Sequence, residues 1–226
     1  LLSVYVALFF GFNFNIDLTL ISIAMIFPLV FTIRGSFRRR EKALEHLSQF
    51  RSTLKTLSYF VMSNERFSED DKNEIHNILL EISETVLEHL GKNNYNTDHM
   101  DSVIHKVHEF INQKGNFINE KLKSKIFRFM ADLHESVENL HAINSHRTPI
   151  SLRAYCKIFI YIFPLLYAPI IINNVGLERP QWLIYFIVLT TEYILISLYN
   201  IQDKLEYPFD NDGLDDINLD IFKLSR

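Results

Sequence analysis

Leu18-Thr-Leu-Ile-Ser-Ile-Ala-Met-Ile-Phe27-Pro28-Leu-Val-Phe31-Thr-Ile33 runs without a charge straight into Arg34-Gly-Ser-Phe37-Arg38-Arg39-Arg40. An uncharged run close to the ~20 residues that cross a bilayer core, closed by a cationic burst, reads as a membrane helix with its anchor. The pattern recurs. Residues 158–177 carry no charge, and between Pro180 and Gln202 the only charged residue is Glu192. By contrast, residues 42–147 hold 29 of the 50 charged side chains. A mean hydropathy of +0.04 averages over these regions and hides them.

That distribution excludes a purely soluble domain, a disordered chain and a disulfide scaffold. Cys156, the one cysteine, cannot form an intrachain bridge. A net charge of −4 without a basic domain leaves no nucleic-acid footprint. The fold class is therefore read as all-α: a multi-pass membrane protein with four membrane helices per subunit and a helical insert. Residues 1–12, LLSVYVALFFGF, lack the basic start and small-residue end of a signal peptide. They are expected to be the tail of a first membrane helix that begins before this chain.

Lysine and arginine near segment ends face the cytoplasm. Arg34 to Lys42 precede the insert, and Arg147, Arg153 and Lys157 follow it. The insert and the C-terminal tail should thus be cytoplasmic, in a plasma or bacterial inner membrane. The organisation expected is a first membrane pair over 1–40, a cytoplasmic helical region over 41–147, a second pair over 148–202 and an acidic tail over 203–226. Within the insert, apolar spacing predicts helices over 42–61, from Ser68 to a stop at Gly91, over 99–113 and over 116–145, the last including Phe117. No alternating strand pattern occurs.

All nine histidines lie between residues 46 and 146. Asp101, His105 and His108 share a helical face, and Glu138 with His141 makes one Glu-x-x-His. A di-metal bundle needs two such motifs and further carboxylates, so satisfied or surface histidines explain the set better. No phosphate loop, nucleophile elbow or His-Glu-x-x-His is present, and the chain is not read as an enzyme. No cofactor is required.

Glu192, set in an apolar span, is a candidate intramembrane polar site, or a glutamate packed on a neighbouring helix. Ile23, Phe27 and Phe31 recur every fourth residue and stack on one helical face. Spacing alone favours ordinary helix packing; the sharper reading is an apolar constriction lining a pore. The acidic tail, with Asp212, Asp215 and Asp216, offers hard oxygen ligands that suit Ca²⁺, although it lacks EF-hand spacing.

Three stretches resemble the bestrophin family of pentameric ion channels, including its bacterial branch. Phe27-Pro-Leu-Val-Phe31-Thr-Ile-Arg-Gly-Ser-Phe37-Arg-Arg39 resembles the second membrane helix, from apolar neck to aromatic-x-Arg exit. Arg147-Thr148-Pro149-Ile150 is similar to the Thr-Pro approach to the second membrane pair. Ile201-Gln-Asp-Lys-Leu205-Glu206-Tyr-Pro208-Phe209, followed by acids, is similar to the Glu-Asn-Pro-Phe tail. Arg40 and Glu41 stand where the family has tryptophans, Tyr207 where it has Asn, and Ser151 where it has a second Pro. The resemblance implies a homopentamer around a pore, with Ile23, Phe27 and Phe31 at the neck and the insert forming a vestibule. It also implies passage of inorganic ions, chloride or a monovalent cation, and a Ca²⁺ clasp in some members that involves the acidic tail. Chloride conduction is the expected function. A cation-selective channel, a non-conducting membrane scaffold or signalling protein, and a membrane enzyme using the histidine-rich insert are the rivals.

Overall fold

The computed structural model describes residues 2–224 apart from 93–94, 116–117, 119 and 214. Phe117 and Leu214 therefore lie outside the described residues. The helices are α1 (Leu2–Phe9), α2 (Thr19–Met62), α3 (Glu69–Gly91), α4 (Asp98–Gln113), α5 (Glu120–Ser145), α6 (Ile150–Val175) and α7 (Gln181–Leu205), with a closing 3₁₀ turn at Leu219–Phe222. No strand occurs among the described residues. Three stretches are long and apolar enough to cross a membrane: within Thr19–Met62, within Glu120–Val175 and within Gln181–Leu205. In the second of these the charged half is α5, so the apolar part is α6. The chain divides into two compact units, residues 1–38 with 148–206, and residues 39–147 with 207–226.

In the first unit two apolar clusters hold the helices. Val4 and Ala7 of α1 pack with Ala168, Ile171 and Ile172 of α6 and with Ile184 and Val188 of α7. Met25 and Leu29 of α2 pack with Cys156, Ile160 and Phe163 of α6 and with Leu195 of α7. Pro28 lies inside α2. Proline has no N–H to give the carbonyl four residues back, which is that of Ala24. Tyr155 supplies the missing donor, its hydroxyl lying 3.1 Å from the Ala24 oxygen. A membrane helix tolerates proline when a neighbour satisfies the freed carbonyl in this way.

The second unit is a helical bundle. The half of α2 beyond Arg38 buries Ala43, Leu47, Phe50, Leu54, Leu57 and Val61, a stripe stepping by four and three residues. Leu44, next to Ala43, is only partly buried against the same core. Ser68 caps α3 in a reciprocal capping box with Asp71, reinforced by Glu69 and Asp70 in the first turn. Gly91 does end α3, but its backbone stays out of the left-handed region, and Lys92 follows in extended conformation. The expected glycine cap is thus replaced by a plain break into extended chain. The helix expected over 42–61 is not separate from the membrane segment before it: α2 is continuous for 44 residues. Arginine and glutamate are good helix formers, so Arg38 to Glu41 mark a change of solvent without breaking the backbone.

The tail folds back onto this bundle. Phe209 is 1% exposed, and Ile217 and Leu219 join it in the same core as α2 to α5. The Leu224 N–H donates to the Ser83 hydroxyl at 2.9 Å, and Arg147 lies over the Tyr207 ring at 4.0 Å. Truncating Phe209 to alanine should therefore cost ~3–5 kcal/mol, the usual range for a fully buried Phe→Ala. Thermal melting of the two proteins measures it, and an unchanged melt would mean that the tail is not part of the core.

Candidate functional site

Along α2, helical geometry turns each residue by ~100° from the last. On that wheel Met25, Leu29, Thr32 and Ser36 fall together, and all four are buried. Ile23, Phe27 and Phe31 fall within about 80° of one another, roughly opposite that seam. They are 54%, 61% and 52% exposed. Phe27 and Phe31 meet edge to face, ring centroids 4.6 Å apart. The three residues singled out by spacing therefore share a face that does not pack within the chain. The same stripe continues toward the N-terminus to Leu20, which is 81% exposed, and toward the C-terminus to Arg34 and Arg38, both exposed. Ile26, Val30 and Phe37 form a second exposed strip beside it.

Further along the same helix, at Ser36, lies a feature that sequence reading missed. The Glu206 carboxylate is 1% exposed. It accepts from the Ser36 hydroxyl of α2 at 2.9 Å, from the Thr148 N–H at 2.6 Å and hydroxyl at 2.8 Å, and from the Gln202 amide of α7 at 3.0 Å. Four donors on one buried carboxylate tie the end of α7 to α2 and to the residue before Pro149, which caps α6. Arg153 and Asp203 form an ion pair between α6 and α7 as well. Nothing in the spacing of Ser36, Thr148 and Glu206 could have predicted a contact across 170 residues.

Glu192 sits on α7 with its Oε2 buried and without a hydrogen bond among the described residues. The adjacent Thr191 hydroxyl is turned to its own helix, donating to the Ile187 carbonyl at 3.0 Å.

In the acidic tail, the Asp216 carboxylate accepts from the Gly213 N–H at 2.6 Å, and the Asp215 carbonyl accepts from Arg40 Nε at 2.7 Å. The Asp212 N–H donates to the Asp210 carboxylate at 3.3 Å. These bonds shape a turn. Among the described residues no three carboxylate, imidazole or thiol groups converge to hold a metal. For the parent protein, melting with and without chelator is the direct measurement; a rise in melting temperature with Ca²⁺ would support a clasp, and unchanged melting would count against one.

Among the described residues the histidines of the insert do not form such a group either. His89 Nε2 and His141 Nδ1 lie 3.0 Å apart, one ring donating to the other. Burial, helped by the neighbouring His141, holds the His89 imidazole below its ordinary range against the pull of Asp101. The unfolded ring, near its usual value of ~6.5, then binds protons that the folded one refuses. Stability is full above that value and is lost as pH falls through it. Melting temperature should fall between pH 7.5 and 5.5, and His89→Gln should flatten the slope; an equal slope in the variant would assign it to other groups.

The architecture is that of an all-helical integral membrane protein, with apolar helices in one unit and a charged helical bundle in the other. No family model matches the chain, and no curated protein matches it in sequence. Solved structures do match. A single-residue variant of a bacterial bestrophin homolog from Klebsiella pneumoniae superposes with TM-score 0.83 at 14% identity, covering 98% of this chain and 89% of that one. A second variant of that homolog gives TM-score 0.80 at 13% identity over 98% and 89%. A structure described as a membrane protein variant gives TM-score 0.84 at 13% identity over 98% and 90%. The chain has the fold of bacterial bestrophin homologs.

Proposed function

We propose that the chain is one subunit of a bestrophin-like ion channel that conducts chloride or a similar inorganic anion. Subunits assemble as a ring, a homopentamer in lipid, each contributing four membrane helices and turning residues 41–147 and the C-terminal tail to the cytoplasm. Ile23, Phe27 and Phe31 of each α2 form the neck, and Ile26, Val30 and Phe37 meet the adjacent subunit. One observation carries this reading: a membrane helix packs on its own chain through one face and leaves a stacked aromatic stripe exposed on the other. The shared fold supports it, as does the sequence resemblance to bestrophins. The edge-to-face Phe27–Phe31 pair would present ring edges, which carry partial positive charge and tolerate a passing anion. Glu192 remains the candidate polar site within the membrane, and Asp212, Asp215 and Asp216 the candidate Ca²⁺ ligands should neighbouring subunits complete them.

Light scattering in mild detergent should give a mass near five chains, and liposomes holding the purified protein should pass ions. A monodisperse monomer in several detergents overturns the channel reading. A stable ring without flux would make the protein a non-conducting membrane scaffold.

A further inference from the structure

The four arginines that close the membrane stretch of α2 divide by face. Arg39 Nη1 donates to the His146 carbonyl at 3.3 Å, and Arg40 Nε donates to the Asp215 carbonyl. These two are structural. Arg34 and Arg38 are exposed, and among the described residues neither is engaged in a hydrogen bond or ion pair. At ~100° per residue they fall inside the arc of about 80° that holds Ile23, Phe27 and Phe31. At ~1.5 Å per residue they lie about 4.5 and 10.5 Å below Phe31 along the helix. Between Thr19 and Arg40 the helix carries no carboxylate to neutralise them.

We propose that Arg34 and Arg38 are the residues that select anions, forming a double cationic collar at the inner mouth of the neck. This rests on the pore reading of the stripe. An arginine that only anchored the helix at the headgroups would be free to sit at any angle around α2. These two instead prolong the pore-facing row, while the arginines off that row are bound to backbone carbonyls. Guanidinium stays charged across the physiological range, so the collar is a permanent field. Rings of arginine or lysine are the usual device by which a pore concentrates anions. The apolar neck sets the barrier, and the collar decides which sign of ion waits beneath it.

The test is the reversal potential of purified channels in planar bilayers under a KCl gradient. The parent should favour chloride. Arg34→Gln and Arg38→Gln should each lower the chloride-to-potassium permeability ratio, and the double variant should lower it roughly tenfold or more, as loss of a local potential of a few kT requires. Arg34→Glu with Arg38→Glu should turn the preference to potassium. Unchanged reversal potentials in conducting Gln variants would make both arginines headgroup anchors and overturn the proposal. So would a parent channel that already prefers potassium, a result that does not depend on any variant folding. Absence of flux in the parent and in Phe27→Ala alike would instead remove the channel reading itself.

Discussion

Phe27→Ala and Phe31→Ala should raise ion flux per assembled particle, several-fold, while leaving the protein assembled. Each ring is more than half exposed in the chain, so removing it opens no cavity against α6 or α7. The loss of stability should stay under ~1 kcal/mol, in the range of surface substitutions. If the stripe lines a pore, the same truncation widens an apolar tube that an ion can cross only while it stays wet, and the barrier falls. A stripe buried between subunits predicts the reverse. Cavities at a helix interface would cost ~3–5 kcal/mol per ring, the assembly would weaken, and no particle would conduct better. A stripe facing lipid predicts no change in either quantity. Liposome flux and thermal stability, measured on the same two variants, separate the three. Destabilised protein with unchanged flux per particle would place the pore elsewhere.

How much of this could be read from the residues alone depends on the range of the interaction. Helices were legible because their signals are local. The uncharged runs, the Ser68 cap with its acidic first turn, and the apolar spacing of α4 all lie within a few residues of the element they specify. Charge was less reliable as a guide to helix ends. Four arginines at the edge of the membrane stretch looked like a terminus, yet α2 continues through them to Met62, because the change of solvent does not alter backbone preference. Ile23, Phe27 and Phe31 were legible as one face, but spacing could not say whether that face packs; exposure in the folded chain shows that it does not pack within the chain itself. Fully hidden were contacts made by polar groups far apart in sequence. Tyr155 serving Ala24, and Glu206 gathering Ser36 and Thr148, leave no pattern in either partner's neighbourhood.

That last contact should matter most to α2. Glu206→Ala removes the acceptor for the Ser36, Thr148 and Gln202 donors at a residue that is 1% exposed. Hydrogen bonds to a charged group are worth ~1.5–3 kcal/mol each, though not additively, because the donors are left dry and unpaired together. Losing one partner of a buried charged network costs ~3–5 kcal/mol as a whole, and that is the expected destabilisation. Glu206→Gln preserves the volume and one acceptor oxygen, but turns an amide N–H toward donors that need an acceptor. It should therefore lose a substantial part of the same stability. Ser36→Ala, which removes one donor and leaves those of Thr148 and Gln202 in place, should cost only ~1 kcal/mol. The functional consequence follows from where Ser36 sits. It is on the buried seam of α2, on the side of the helix away from Phe27 and Phe31. Releasing it lets the helix rotate or slide, which would blur the position of the proposed neck without touching it. Conducting Glu206→Gln channels should accordingly show variable unitary currents where the parent shows one level. Single-channel recording and melting together test this. Parent-like melting of Glu206→Ala would reduce the clamp to an incidental contact, and a uniform current in Glu206→Gln would detach it from the pore.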